Sequence, residues 1–161
     1  MNILLQITLI GIGATAIMDS FTFLLRCIGI QTLDYKYVGR WVGHLWKGRF
    51  THSTIFTANP IKHEKIIGWT AHYAIGISFA FLLVYFDGVQ WLDRPRPVPA
   101  LVVGILTTIA PFFIMQPSFG IGWAASKTPN PNKARLMSII IHLVYGIGLY
   151  LSALLFKSIA M

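Results

Sequence analysis

Four runs of the chain stay apolar for the length of a membrane crossing, roughly Ile3–Arg26, Ile66–Phe86, Ala100–Ala125 and Leu136–Phe156. A crossing takes about 20 apolar residues. The pattern predicts an all-α membrane protein of four transmembrane helices arranged as two hairpins. All of residues 1–161 form one domain in this reading, with residues 31–65 as an interfacial cytoplasmic loop. Helices one and three open on similar short motifs, GIGAT at Gly11 and GILTT at Gly104, and helices two and four share HYAIGI and HLVYGI. These likenesses predict a parallel internal repeat about an axis along the membrane normal.

Composition agrees with that pattern. The chain is 55% hydrophobic and 11% charged, with a mean hydropathy of +0.66, whereas soluble domains carry about 25% charged residues. The net charge of +8 could suggest nucleic acid, but the basic residues lie between the apolar runs, as in a membrane protein with cationic loops. Ten of the thirteen Lys and Arg fall on one side: Arg26, six between Lys36 and Lys65, then Lys127, Lys133 and Arg135. Only Arg94, Arg96 and Lys157 fall on the other. The positive-inside rule then puts both basic loops in the cytoplasm and both termini outside. The first run has no basic residue ahead of it, carries Asp19 and lacks a small-residue cleavage site, so it is expected to remain as a helix rather than be cleaved as a signal.

The polar exceptions inside the runs are the candidate chemistry. At 1.5 Å per residue, His72 and His142 lie about 9–10 Å inside helices two and four, Asp19 lies about 10 Å from the cytoplasmic end of helix one, and Gln116 sits about a turn deeper. All four helices thus place a hydrogen-bonding group in one layer. Small residues accompany them at helical spacing: Gly11, Thr15 and Asp19, and His72, Gly76 and Ala80. Such stripes let helices approach closely. An ionised Asp facing lipid would cost about 2.5–3.5 kcal/mol on insertion scales, so Asp19 is expected to face inward, toward His72 or His142. The competing reading is interhelical hydrogen-bond glue, worth about 0.6 kcal/mol per contact. In helix three, Pro111 and Pro117 remove two backbone donors, so the helix is expected to be irregular near Gln116.

The connection LDYKYVGRWVGHLWKGRFTH mixes aromatics with cations, as an interfacial segment requires. Its three glycines argue against a long regular helix. Arg40, His44 and His52 are candidates for a lid over the polar layer. The single Cys27 can form no internal disulfide, and no zinc spacing, phosphate loop or nucleophile–base pair occurs. No catalytic constellation can be named, and a non-enzyme is expected.

L-D-Y-x-x-V-G-R-W-x-G-H at Leu33–His44, G-R-F-x-H at Gly48–His52, G-W-x-x-H-Y-x-I-G at Gly68–Gly76 and M-Q-P at Met115–Pro117 resemble a bacterial inner-membrane family catalogued as domain of unknown function 2938. The resemblance covers nearly the whole chain. It implies a four-helix protein of the bacterial inner membrane and brings no activity, cofactor or functional residue with it. From the residues themselves, the leading expectation is a titratable site formed by Asp19, His72, Gln116 and His142, serving proton-linked translocation or sensing of a small molecule. Four helices make a narrow bundle, so a homo-oligomer is expected for transport. The runner-up is a bis-histidine haem or metal carrier in electron transfer, with His72 and His142 as axial ligands. The third is a structural or assembly subunit. The partners expected are the lipid bilayer and an unidentified small molecule, with no nucleic acid.

Overall fold

The computed structural model describes residues 2–160, and every regular element among them is a helix. In chain order these are α1 (Ile3–Cys27), α2 (Lys36–Leu45), α3 (Glu64–Asp87), α4 (Gln90–Asp93), α5 (Pro97–Leu106), a π-helical turn (Pro111–Met115), α6 (Gln116–Ser118), a 3-10 turn (Trp123–Ala125) and α7 (Pro131–Ala160). Among the described residues, four stretches are long and apolar enough to cross a membrane: Ile3–Cys27, Glu64–Asp87, Pro97–Ser118 and Pro131–Ser158. Large apolar side chains such as Leu24, Ile66, Phe86, Ile109 and Leu155 point outward along them. That is the surface of a multi-pass membrane protein, since lipid rather than water is the solvent those residues suit.

α1 starts where the Asn2 side chain accepts the Leu4 N–H at 2.9 Å. It ends at Gly29, whose φ of +84° lets Ile30 N–H reach back to Leu25 O, a glycine C-cap. The third span is irregular before Gln116, as its prolines lead one to expect, and it ends at Ser118 rather than at Ala125. Pro111 has no N–H to give, and the ladder slips register until the Gln116 N–H reaches the carbonyl of Pro111, five residues back. A π turn at a proline is a recognised way to absorb such a break. The helix then stops at Ser118, because Gly120 adopts φ +83° against the Ser53 backbone.

The connection after α1 is also more ordered than its glycines suggest, since α2 runs for ten residues through Gly39 and Gly43. The glycines are there for approach. A Cβ at Gly39 would fall 2.6 Å from Gly68 N, and one at Gly68 would fall 2.7 Å from the Tyr35 carbonyl carbon. α2 and the first turns of α3 therefore touch backbone to backbone.

The chain divides into two compact units. The first comprises residues 1–31, 73–107 and 139–161. Its core joins Ile10 and Ala14 of α1, Ala80 and Leu83 of α3, Val103 of α5, Tyr145 and Leu149 of α7, and Trp91 of α4. Gly104 and Gly146 let α5 and α7 meet closely there: a Cβ at Gly104 would lie 2.9 Å from the Gly146 Cα. Beyond α3, Arg96 grips Asp87 with contacts of 2.8 and 2.9 Å. The second unit comprises residues 32–72 and 108–138. It is built on Val38, Ile55 and Phe119, with Leu33, Trp41 and Met115 packed around them.

Candidate functional site

In the first unit, the stripe of Gly11, Thr15 and Asp19 on α1 lies against α3. A side chain on Gly11 would meet Ile77 and Ala80, and the Thr15 hydroxyl fills the space that a side chain on Gly76 would need. One turn on, the half-buried Asp19 takes a hydrogen bond from the Tyr73 hydroxyl. On the next turn of α3, the Gly76 carbonyl accepts from the Tyr145 hydroxyl of α7 at 2.6 Å, with Tyr145 buried. One turn away on α7, His142 Nδ1 meets the Thr107 hydroxyl, next to α5, at 2.8 Å. Thr107 also donates its single hydrogen to the Gly104 carbonyl at 2.6 Å. It must therefore accept from His142, which fixes the neutral imidazole as the Nδ1–H tautomer with its lone pair on Nε2. Asp19–Tyr73, Gly76–Tyr145 and His142–Thr107 thus form a ladder that touches all four apolar helices within this unit.

The other sequence-derived positions belong to the second unit. His72 lies face to face with Tyr35, centroids 3.9 Å apart, and the edge of Trp69 is 5.9 Å away. Gln116 is buried, and its Oε1 is enclosed with no hydrogen-bond partner among the described residues. Arg40, a candidate lid residue, is the tie-point of the connection. Its Nε and Nη2 grip both oxygens of Glu64 at 2.8 and 2.9 Å, and its Nη1 donates to the carbonyls of Ile55, Phe56 and Ala58 at 3.0–3.3 Å. The carboxylate beside it pushes the already high pKa of Arg40 further up.

His44 and His52, the other two lid candidates, are each 6% exposed. His44 Nδ1 and His52 Nε2 are 2.7 Å apart. The His52 backbone N–H donates to the Ser118 carbonyl at 2.9 Å, and the Ile55 N–H to that of Phe119 at 3.0 Å, so this segment is laid along the end of the third span. Burial pulls the His52 pKa below its ordinary value, the neighbouring Arg49 and His44 act in the same direction, and the Ser118 carbonyl partly offsets them. Among the described residues, no group of three or more His, Cys, Asp and Glu side chains could hold a metal ion.

Hydropathy had no way to single out Tyr73, Tyr145 and Thr107, which suit an apolar helix without any polar role. The one local hint is that Tyr73 follows His72 and Tyr145 lies three residues after His142, so each histidine marks the turn where a hydroxyl is used. Glu64, the only acid near the start of α3, could have been matched to a buried arginine by elimination.

No curated protein and no solved structure matches this chain. The family model described as "Protein of unknown function (DUF2938)" matches residues 8–156, which takes in the second and third spans and the folded connection whole and most of the first and last spans. The chain belongs to that family.

Proposed function

We propose that this protein sits in the bacterial inner membrane with both termini on the periplasmic side and carries out proton-linked translocation of a small molecule. The observation that supports this reading is the polar ladder in the first unit. A carboxylate and an imidazole on membrane-crossing helices are each held by a hydroxyl rather than left to lipid. Ionisable groups in the hydrocarbon region are expensive to place, and glue alone could be made with neutral residues. Asp19 is the charge in this scheme, Tyr73 its donor, and His142 the group that takes and gives a proton at Nε2. His72 and Gln116 are polar positions carried by the second unit.

The test uses the full chain in vesicles holding a pH-sensitive dye. After an acid pulse, wild type should acidify the interior faster than empty vesicles do, and Asp19→Asn should fall to the empty-vesicle rate. Ser20→Ala, a change at an exposed neighbour, should keep the wild-type rate. Wild type no faster than empty vesicles, or Asp19→Asn equal to wild type, overturns the reading. A haem absorption band in the purified protein would replace it with electron transfer.

A further inference from the structure

The two buried histidines of the connection are joined in an unusual way. Their ring planes are 25° apart and their centroids are separated by 4.9 Å, although the nearest ring nitrogens are only 2.7 Å apart. The centroid separation is nearly the N···N distance plus one radius of each ring. The rings therefore lie end to end and almost coplanar, with the donor hydrogen and the acceptor lone pair on one line. Two imidazoles ligating a single tetrahedral ion would instead have converging lone-pair axes. This is the geometry of a shared proton.

The two ends of the pair differ. His52 Nδ1 is enclosed and closes no hydrogen bond among the described residues, although the Ser118 carbonyl faces its ring. His44 Nε2, at the opposite end, is not among the enclosed unpartnered atoms. Gln116 Oε1, two residues before Ser118, is a second enclosed acceptor without a partner. Buried polar atoms in this condition call for water, which needs two to four polar partners.

We propose that His44 and His52 form a two-imidazole proton relay that runs from His44 Nε2 to His52 Nδ1 and exchanges protons there with enclosed water. At rest, His44 Nδ1–H donates to His52 Nε2, and His52 Nδ1 carries its own hydrogen toward the Ser118 carbonyl. A proton taken up at His44 Nε2 makes His44 an imidazolium. His44 then hands its Nδ1 proton to His52 Nε2, and His52 releases its Nδ1 proton to the water. One proton enters and one leaves, no electrons move, and both rings end as the opposite neutral tautomers until the reverse passage resets them. Burial disfavours an imidazolium at His52, so the pair passes a proton on rather than storing it. The groups that face His52 are Arg49, His44 and the Ser118 carbonyl. None is a carboxylate that would hold the charge in place.

The relay rests on the proton-linked reading for its use, but its chemistry is measured apart from it, in detergent and with no gradient. Nitrogen-15 NMR of the histidine rings in the full chain gives the readout. In wild type, one strongly deshielded proton should correlate with both His44 Nδ1 and His52 Nε2. Separate uncorrelated N–H signals overturn the proposal, whatever any variant does. In His44→Gln, a side-chain donor to His52 remains but cannot take up and pass on a proton. Exchange of the His52 Nδ1–H with water should then slow by on the order of 10²-fold, the low end for a positioned acid–base group. A pair that only fastens the fold would give an unchanged or faster rate, because removing a packed neighbour opens the site, and either result overturns the relay. The proton flux of Asp19→Asn does not enter this measurement, so the two readings can fail separately.

Discussion

Arg40 is a single side chain that satisfies five acceptors, three on one stretch of backbone and two on one carboxylate. Both partners of the ion pair are largely buried. Removing one of them therefore leaves a desolvated charge, at a cost of about 3–5 kcal/mol, whereas replacing both by apolar groups is often close to neutral. Arg40→Met should lower the thermal unfolding midpoint in detergent sharply, and Arg40→Met with Glu64→Leu should recover most of the loss. A double variant no more stable than the single one would mean that the three carbonyl contacts, not the ion pair, dominate. At this scale the sequence was readable in part. Asp19, His72, Gln116 and His142 stood out because each is polar in an apolar run. Their surroundings did not, because Tyr73, Tyr145 and Thr107 act through one hydroxyl on a side chain that hydropathy scores as ordinary for a span. Arg40 stood out only as a lid candidate, because its partner Glu64 lies 24 residues away, beyond any local pattern.

Among elements, the helix boundaries that followed from long apolar runs were legible and those set by contact were not. α1 matches its run nearly to the residue, since a glycine cap and the run end together. The third span is shorter than its run because Pro111 and Gly120 impose backbone geometry that hydropathy does not register. α2 was obscured by its glycines, which cost helix propensity but admit the neighbouring backbone. That conflict gives a prediction with a definite sign. In an open helix, Gly→Ala gains about 1 kcal/mol of propensity. At Gly39 the new methyl meets the backbone of Glu64 and Gly68, which cannot move aside, and overpacking of this kind costs about 1–3 kcal/mol. At Gly43 it meets the end of the Ile61 side chain, which can rotate away. Gly39→Ala should therefore unfold at lower temperature than wild type, and Gly43→Ala should stay close to it. The reverse order in a melting experiment would place the α2–α3 contact elsewhere.

For the whole molecule, charge is distributed far more unevenly than apolarity. The second unit holds nine of the thirteen Lys and Arg and two of the five acids, a surplus of seven out of the chain's eight positive charges. Both of those acids are engaged, Asp34 with Lys36 and Glu64 with Arg40. Lys47, Arg49, Lys62 and Lys65 have no acid in their own unit left to neutralise them. The division into units was itself invisible to hydropathy, because three of its four boundaries, between His72 and Tyr73, Thr107 and Thr108, and Ser138 and Ile139, fall inside apolar runs. The charge pattern still predicts an orientation. Segments rich in Lys and Arg are retained on the cytoplasmic side during insertion, and short connections obey this bias best. The 31–65 connection and the segment from Ser126 to Arg135, with Lys127, Lys133 and Arg135, should both be cytoplasmic, and an even number of crossings then returns both termini to the opposite face. A reporter fused after Lys157 should be active only where periplasmic reporters work, and one inserted near Asn130 only in the cytoplasm. The inverse pair of results would place His44 and His52 on the periplasmic side, and any proton they relay would then enter from outside the cell.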